Sequence, residues 1–362
     1  MKVAIYSPYL DTLGGGEKYM LTIAATLAEK EDVDILLGTH LYSLDTDDLS
    51  SKLLRIHGIN LEKMNFVKAP IGLGSSALKR SLFLKKYDYF FCLTDGSLFY
   101  TTAKHNVLHF QVPFKNIGAQ GVKGRIKLSS WEKVIYNSKF TAQIISKYWG
   151  IKNGIVVYPP VDVDEIKPLN KKNQIISVGR FHMATRSKKQ SIMIAAFKNL
   201  SKHLQAKGWS LHLAGGVEDG NEPYIEELKE LAGDASVFFH TNISMDELHK
   251  LYGESRIYWH AAGYEEEDPT KQEHFGITTV EAMAAGCVPV VINKGGQPEI
   301  VTKECGYLWD TTNDLQLRTL SLLKNDKELE DMSRASIERS KEFTSDHFKA
   351  AIKGLVYGEN WK

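Results

Sequence analysis

Cysteine is scarce in this 362-residue chain. Cys92, Cys287 and Cys305 are odd in number and far apart, which argues against a disulfide framework and for a reducing compartment. Long apolar runs are missing as well: none approaches the roughly 18 residues a membrane-crossing helix needs. The opening MKVAIYSPYL meets Pro8 and Asp11 too soon for a secretory leader and reads as a first strand. Net charge is almost absent, 45 Lys and Arg standing against 44 Asp and Glu, so composition gives no global electrostatic case for nucleic acid. No His/Cys cluster has zinc spacing. These absences describe a cytoplasmic protein of ordinary globular composition, long enough for two domains.

The small net charge hides an asymmetry. Residues 1–170 sum to +5 and residues 171–362 to −4. Basic clusters stand at Lys79-Arg80, Lys85-Lys86 and from Lys123 to Lys127. They could meet an anionic acceptor or lipid headgroups, which would place the protein peripherally at the inner membrane face. Solvated faces of ordinary helices would look the same.

Short apolar runs alternate with amphipathic segments, the pattern of an α/β doubly wound fold. In the first half, strands are expected at Val3–Tyr6, Val33–Leu37, Tyr89–Cys92, Val107–Phe110, Val134–Tyr136 and Ile155–Tyr158. Helices are expected at Glu17–Glu29 and Ser138–Tyr148. Pro159-Pro160 and the polar stretch Lys167–Asn173 read as a hinge. The alternation then restarts with strands at Ile175–Val178, Ser210–Ala214, Val237–His240, Ile257–His260 and Val288–Ile292. Between them fall helices at Gln190–Leu204, Tyr224–Leu231, Met245–Tyr252, Thr279–Ala285 and Glu299–Thr302, and the tail from Asp326 to Tyr357 reads as mostly helical. The division is 1–165, 166–343, and a final helix in 344–362 that crosses back onto the first domain. Two such units joined by a hinge imply two Rossmann-like domains facing across a cleft, a natural ligand site.

The richest stretch runs from Glu273 to Gly286 (EHFGITTVEAMAAG). Two glutamates lie eight positions apart, Glu273 before a helix and Glu281 in its first turn. Thr278 is expected to N-cap that helix with Glu281 completing a capping box, and Gly286 to stop it. The amides of Gly276, Ile277, Thr278 and Thr279 would then be free donors for phosphate or sugar oxygens. Taken alone, the pair also reads as a cap and a surface residue.

That string is followed by Cys287-Val288-Pro289-Val290-Val291 and Gly295-Gly296-Gln297-Pro298-Glu299-Ile300. Together they resemble the group 1 family of retaining glycosyltransferases, whose architecture is the two-Rossmann GT-B fold. The resemblance implies that Glu281 holds the ribose of a nucleotide-sugar donor and Glu273 the hydroxyls of the transferred sugar. A carboxylate accepts two vicinal hydroxyls at once through strong charge-assisted bonds. The same likeness makes Phe275, Gly276, Ile277 and Thr278 donor-binding positions.

Ser177-Val178-Gly179-Arg180, followed by Lys188-Lys189, resembles the family's pair of cations around the donor diphosphate. Fixed cations there would stabilise the charge that grows on the leaving group. Arg180 and Lys188, the latter chosen over Lys189, are therefore catalytic candidates alongside Glu273. No metal or other cofactor is expected. Leu13-Gly14-Gly15-Gly16-Glu17 resembles the family's glycine loop, implying that Gly15 and Gly16 approach the donor across the cleft. A tight turn would also explain the glycines. His109, at a strand end in LHFQVP, resembles a family histidine near the sugar, which makes it a fourth catalytic candidate; a structural histidine is the equal alternative. The segment Tyr264–Gln272 is a longer, acidic insertion, read here as a solvated loop. Base contacts are expected around residues 240–244.

Three Asp-x-Asp strings (Asp32–Asp34, Asp45–Asp47, Asp162–Asp164) stand away from these candidates and are not taken as metal ligands. A nicotinamide dehydrogenase is disfavoured, because G-x-G-x-x-G is missing. The expected function is thus a metal-independent retaining glycosyltransferase, a hexosyltransferase acting on a glycan or lipid-linked acceptor in glycan or cell-envelope polysaccharide synthesis. The alternatives are a sugar-nucleotide epimerase of the same fold and a non-catalytic sugar-nucleotide-binding protein.

Overall fold

The computed structural model describes residues 1–12, 14–115 and 121–358. The chain forms two compact units, Met1–Pro160 with Ser345–Lys362, and Val161–Thr344.

The first unit contains strands β1 (Lys2–Tyr6), β2 (Asp32–Leu37), β3 (Met64–Lys68), β4 (Tyr89–Leu93), β5 (His105–Phe110), β6 (Lys133–Tyr136) and β7 (Ile155–Val156). They form one sheet in the order β3-β2-β1-β4-β5-β6-β7, every pair parallel. Its helices are α1 (Gly15–Leu27), α2 (Thr46–His57), α3 (Ala77–Leu84), α4 (Gly121–Ser129) and α5 (Lys139–Trp149). Strands covered on both faces must be apolar along their whole length. YFFCL of β4 is accordingly buried at all five positions.

The second unit contains β8 (Lys172–Val178), β9 (Ser210–Gly215), β10 (Val237–Thr241), β11 (Ser255–His260), β12 (Val288–Ile292) and β13 (Tyr307–Trp309). The order is β10-β9-β8-β11-β12-β13, again all parallel. Helices α6 (Gln190–Leu200), α7 (Glu222–Ala232), α8 (Met245–Glu254), α9 (Ile277–Ala284), α10 (Gln297–Ile300), α11 (Thr312–Lys324) and α12 (Asp326–Ser340) pack around it. The last helix, α13 (Ser345–Tyr357), belongs to the first unit. Phe348 sets its ring edge against Tyr19 of α1 at 4.8 Å, and Tyr89 donates to the Val356 carbonyl at 3.1 Å.

In both sheets the strand order reverses beside the first strand, between β1 and β4 and between β8 and β11. The loops leaving adjacent strands there diverge to opposite faces, which opens a crevice at their carboxyl ends.

Several expectations need correction. The hinge stretch does not reach Asn173, because Lys172 and Asn173 already pair within β8. The helix beginning at Gln190 ends at Leu200, where the chain turns through a 3-10 segment at Leu204–Ala206. Elements α2, β3, α3, α4, β13 and α11 carry no expectation from the sequence reading.

Candidate active site

The carboxyl ends of β8 and β11 bring one group of side chains together. Lys188, on the loop between β8 and α6, places Nζ 2.6 Å from Glu273 Oε2. His260, the last residue of β11, places Nε2 3.2 Å from the same oxygen. Lys188 and Glu273 keep 29% and 20% of their side-chain surface exposed, whereas His260 keeps 3%. The pair is therefore reachable from solvent on a buried histidine floor.

The electrostatics follow from that packing. Burial alone would raise the Glu273 carboxyl, but the Lys188 ammonium and the His260 bond outweigh it and hold the group well below the ordinary carboxylate range. Burial lowers His260, and Lys188 reinforces that shift against the pull of Glu273. The imidazole is thus neutral and donates from Nε2, while its buried Nδ1 has no hydrogen-bond partner among the described residues.

Backbone contacts fix Glu273. The Gly296 amide donates to its carbonyl at 2.8 Å. Gly295, at φ +64°, approaches so closely that a Cβ there would lie 2.1 Å from the same carbonyl oxygen. The GG dipeptide after β12 is a sequence requirement for placing this carboxylate.

The entry to α9 differs from the expected cap. Gly276, at φ 124° and ψ 58°, is the N-cap, and no side chain caps the helix. Thr278 lies inside the first turn, its hydroxyl 2.8 Å from Tyr258 Oη. Glu281 accepts from Tyr252 Oη at 3.0 Å. A capping box at Thr278 and Glu281 is therefore wrong: two buried tyrosines from α8 and β11 compete for those groups. The Thr279 amide is not free, since it donates to the Gly276 carbonyl at 3.0 Å. The helix does end as expected, the amides of Gly286 and Cys287 donating back to Met283 and Ala282.

The other candidates fall in different surroundings. Phe275 is a core residue whose ring meets Phe343 at 5.5 Å. Ile277 is half-buried in the first turn of α9. Arg180 leaves the end of β8 with three quarters of its side chain exposed and its Nη1 3.8 Å from Glu218. It is not among the residues that meet at Glu273. Lys189, a left-handed N-cap of α6 at φ 55°, donates to Glu266 Oε1 at 2.8 Å. The acidic insertion is thus no free solvated loop. The Glu266 carbonyl also accepts from Gln272 and Lys294, at 3.0 and 3.1 Å.

In the first unit, Leu13 of the glycine motif lies outside the described residues. Gly15 and Gly16 open α1. Glu17 secures that turn by accepting from Ser7, Thr12 and the Gly14 amide at 2.9–3.1 Å. Gly16 sits over Leu93 and Gln111. Gln111 in turn meets His109 Nε2 at 3.0 Å, while His109 Nδ1 faces the Ile135 carbonyl at 3.3 Å. His109 is 1% exposed, stacks on Tyr19 at 4.0 Å, and burial lowers it to about 4. It is a neutral core imidazole with both nitrogens engaged.

His260 carries no candidate status in the sequence reading. The usable signal is position: it ends the strand at the switch point of the second sheet. Among the described residues no group of three or more His, Cys, Asp or Glu could hold a metal ion.

The residues of this site lie in a segment that resembles known proteins. Residues 161–339, nearly all of the second unit, match the model described as "Glycosyl transferases group 1". The chain is 30% identical over 246 residues to the Dictyostelium discoideum GDP-Man:Man(3)GlcNAc(2)-PP-Dol alpha-1,2-mannosyltransferase, covering 62% of this chain and 47% of that one. It therefore spans about half the length of this relative. Among solved structures, sucrose-phosphate synthase from Thermosynechococcus elongatus superposes with a TM-score of 0.71 at 15% identity, over 99% of this chain and 98% of that one. Anabaena HepE in complex with UDP superposes with 0.69 at 16% identity, over 99% of both chains. The fold is the GT-B pair of Rossmann-like units, and residues 161–339 match the group 1 glycosyl transferases.

Proposed function

We propose that this protein is a retaining hexosyltransferase that moves a sugar from a nucleoside-diphosphate sugar to a glycan or lipid-linked acceptor, in glycan or cell-envelope polysaccharide synthesis. One observation carries the reading: a solvent-reachable lysine–glutamate pair on a buried histidine, at the second sheet's switch point. A glycosyl transferase needs there a cation for the diphosphate and an acceptor for sugar hydroxyls.

In this reading Lys188 and Arg180 take the diphosphate, Arg180 by turning away from its loose, exposed partner Glu218. Lys188 leaves Glu273 when the donor arrives, and Glu273, supported by His260, accepts the sugar hydroxyls. Glu281 receives the ribose, steadied by Tyr252. The amides of Gly276, Ile277 and Thr278 face donor oxygens at the start of α9, and the backbone around Phe275 completes that wall. In the first unit, Gly15 and Gly16 give close backbone approach, and His109 acts as a positioning residue beneath them through Gln111.

The bond from the anomeric carbon to the diphosphate breaks as the bond to the acceptor oxygen forms on the same face. The acceptor proton passes to the departing phosphate oxygen. Two cations supply the charge stabilisation, so the transfer needs no metal. The relatives' names favour transfer over epimerisation, and GDP-mannose and UDP-glucose are the first donors to test.

Helices α3 and α4 support a peripheral membrane contact. Leu78, Leu82, Val122 and Ile126 are between 54% and 75% exposed. They are interleaved with Lys79, Lys123, Arg125 and Lys127, and neither helix carries an acidic residue. Such faces are drawn to anionic headgroups.

The test is donor hydrolysis and transfer followed by proton NMR, with chelator present. The reading expects nucleoside diphosphate release with the α-anomer formed first. An inverted product or complete dependence on a divalent ion would contradict it.

A further inference from the structure

The first sheet has a switch point of its own, and it is hollow. A cavity of about 460 Å³ opens at the carboxyl ends of β1 and β4, lined entirely by residues of the first unit. Two polar side chains on its wall have donors to spare. Tyr6, the last residue of β1, is 5% exposed, and its hydroxyl makes no hydrogen bond among the described residues. Arg80, from α3, lays its guanidinium 4.7 Å over the Phe99 ring. Its buried Nε has no partner, and its one hydrogen bond is a long 3.4 Å contact from Nη1 to Ser75. No carboxylate lies within ion-pair distance of it among the described residues.

A guanidinium cannot shed its proton, and a half-buried one without a counter-charge is costly to keep. The Tyr6 hydroxyl, on the same cavity lining, is a second donor that no protein group takes up. A guanidinium without a counter-charge and a hydroxyl with a donor to spare, both lining one cavity, call for acceptor oxygens and negative charge in a ligand. The rest of the wall asks for something different. Asp95, after β4, is exposed at the rim; its Oδ1 accepts from the Ser97 amide and hydroxyl at 2.9 and 2.6 Å. A carboxylate there repels a bare anion but accepts from hydroxyls.

We propose that this cavity binds a sugar or polyol bearing one anionic group, a phosphate or a carboxylate. Arg80 and Tyr6 hold the oxyanion, and Asp95 accepts hydroxyls of the ring. Resting on the proposed transfer reaction, this makes the cavity the acceptor site and Arg80 the residue that selects charged acceptors. Arg80 differs from the lysines of α3 and α4 in function: it reads a group inside the fold, whereas they face outward.

The test is calorimetric titration of the full chain with a hexose 6-phosphate, the free hexose and inorganic phosphate. The second unit is kept saturated with a nucleoside diphosphate, so that phosphate cannot occupy the site at Lys188. The hexose phosphate is expected to bind at least tenfold tighter than either of the others. Arg80→Gln should abolish that preference, Arg80→Lys should restore part of it, and Tyr6→Phe should weaken binding several-fold without altering the fold. Equal binding of free hexose and hexose phosphate, or indifference to Arg80→Gln, overturns the proposal. Inorganic phosphate binding as tightly as the hexose phosphate overturns the claim that a sugar is taken. A hexuronic acid separates the carboxylate source from the phosphate source. Failure of the second unit to bind any nucleoside diphosphate would sink the transfer reading instead, and is read in the same samples before hexose phosphate is added.

Discussion

Lys188 Nζ lies 2.6 Å from Glu273 Oε2, although 85 residues separate them in sequence. The ammonium that would grip a diphosphate and the carboxylate that would hold a sugar neutralise one another while the donor is absent. The site thereby avoids an uncompensated charge at its switch point, which would destabilise the fold.

This pairing sets the first prediction. Lys188→Ala should lower turnover by about 10²–10³, the effect of removing one donor that acts on transition-state charge. Glu273→Gln should lower turnover too, while weakening nucleoside diphosphate binding far less, because it faces the sugar. A double-mutant thermal melt should show the two changes to be non-additive, since they share one interaction. Additive losses would mean that the contact contributes nothing.

A second prediction concerns acid. Burial lowers His109 to about 4 against an ordinary 6.5. Below pH 6.5 the unfolded chain takes up this proton and the folded chain does not, so stability should fall as pH drops from 6.5 to about 4. Glu273 adds to the loss further down. Its folded value is depressed, so its contribution is present above the ordinary 4.5 and disappears as pH falls below that. In denaturant titrations against pH, His109→Gln should flatten the upper part of the curve. An unchanged slope would place His109 in a less buried setting.

Gly276 offers a third. At φ 124° an alanine is strained, and its Cβ would lie 2.5 Å from Nε2 of the fully buried Gln297. Gly276→Ala should cost about 1–3 kcal/mol of stability and displace the first turn of α9. Thermal melts and nucleotide titrations check both. A variant as stable as wild type would show that the turn relaxes without loss.

The outward faces of α3 and α4 give a fourth. The protein should sediment with vesicles containing phosphatidylserine and not with neutral ones, and the binding should fall as salt rises. Leu78→Ser with Leu82→Ser should reduce it. Equal sedimentation with neutral vesicles would remove the electrostatic part of the argument.

Both parallel sheets can be read in the sequence because their central strands carry strong apolar runs: VPVVI of β12 needs no context. The elements that escape notice are those whose apolar signal is weak. Strand β3 buries one residue of five, and β13 is three residues long. Helix α2 hides behind Asp45–Asp47, which resembles a metal motif. Asp45 is in fact its N-cap, accepting from the Asp47 and Asp48 amides at 3.0 and 3.1 Å. At the site, Lys188 and Glu273 could be named from their surroundings in sequence, but their contact could not. The α9 cap misleads because Tyr252 and Tyr258, far away in the chain, claim Glu281 and Thr278. His260 escapes notice because a lone histidine at a strand end has no spacing to betray it. Only the strand order shows that it stands at the switch point.

The most direct test of the account is nucleoside diphosphate binding by the intact chain and by Lys188→Ala, measured calorimetrically at neutral pH with GDP and UDP in the presence of chelator. Saturable binding of one of them to the wild type is expected, at least tenfold weaker in the variant. Wild-type binding that the substitution leaves unchanged would contradict it.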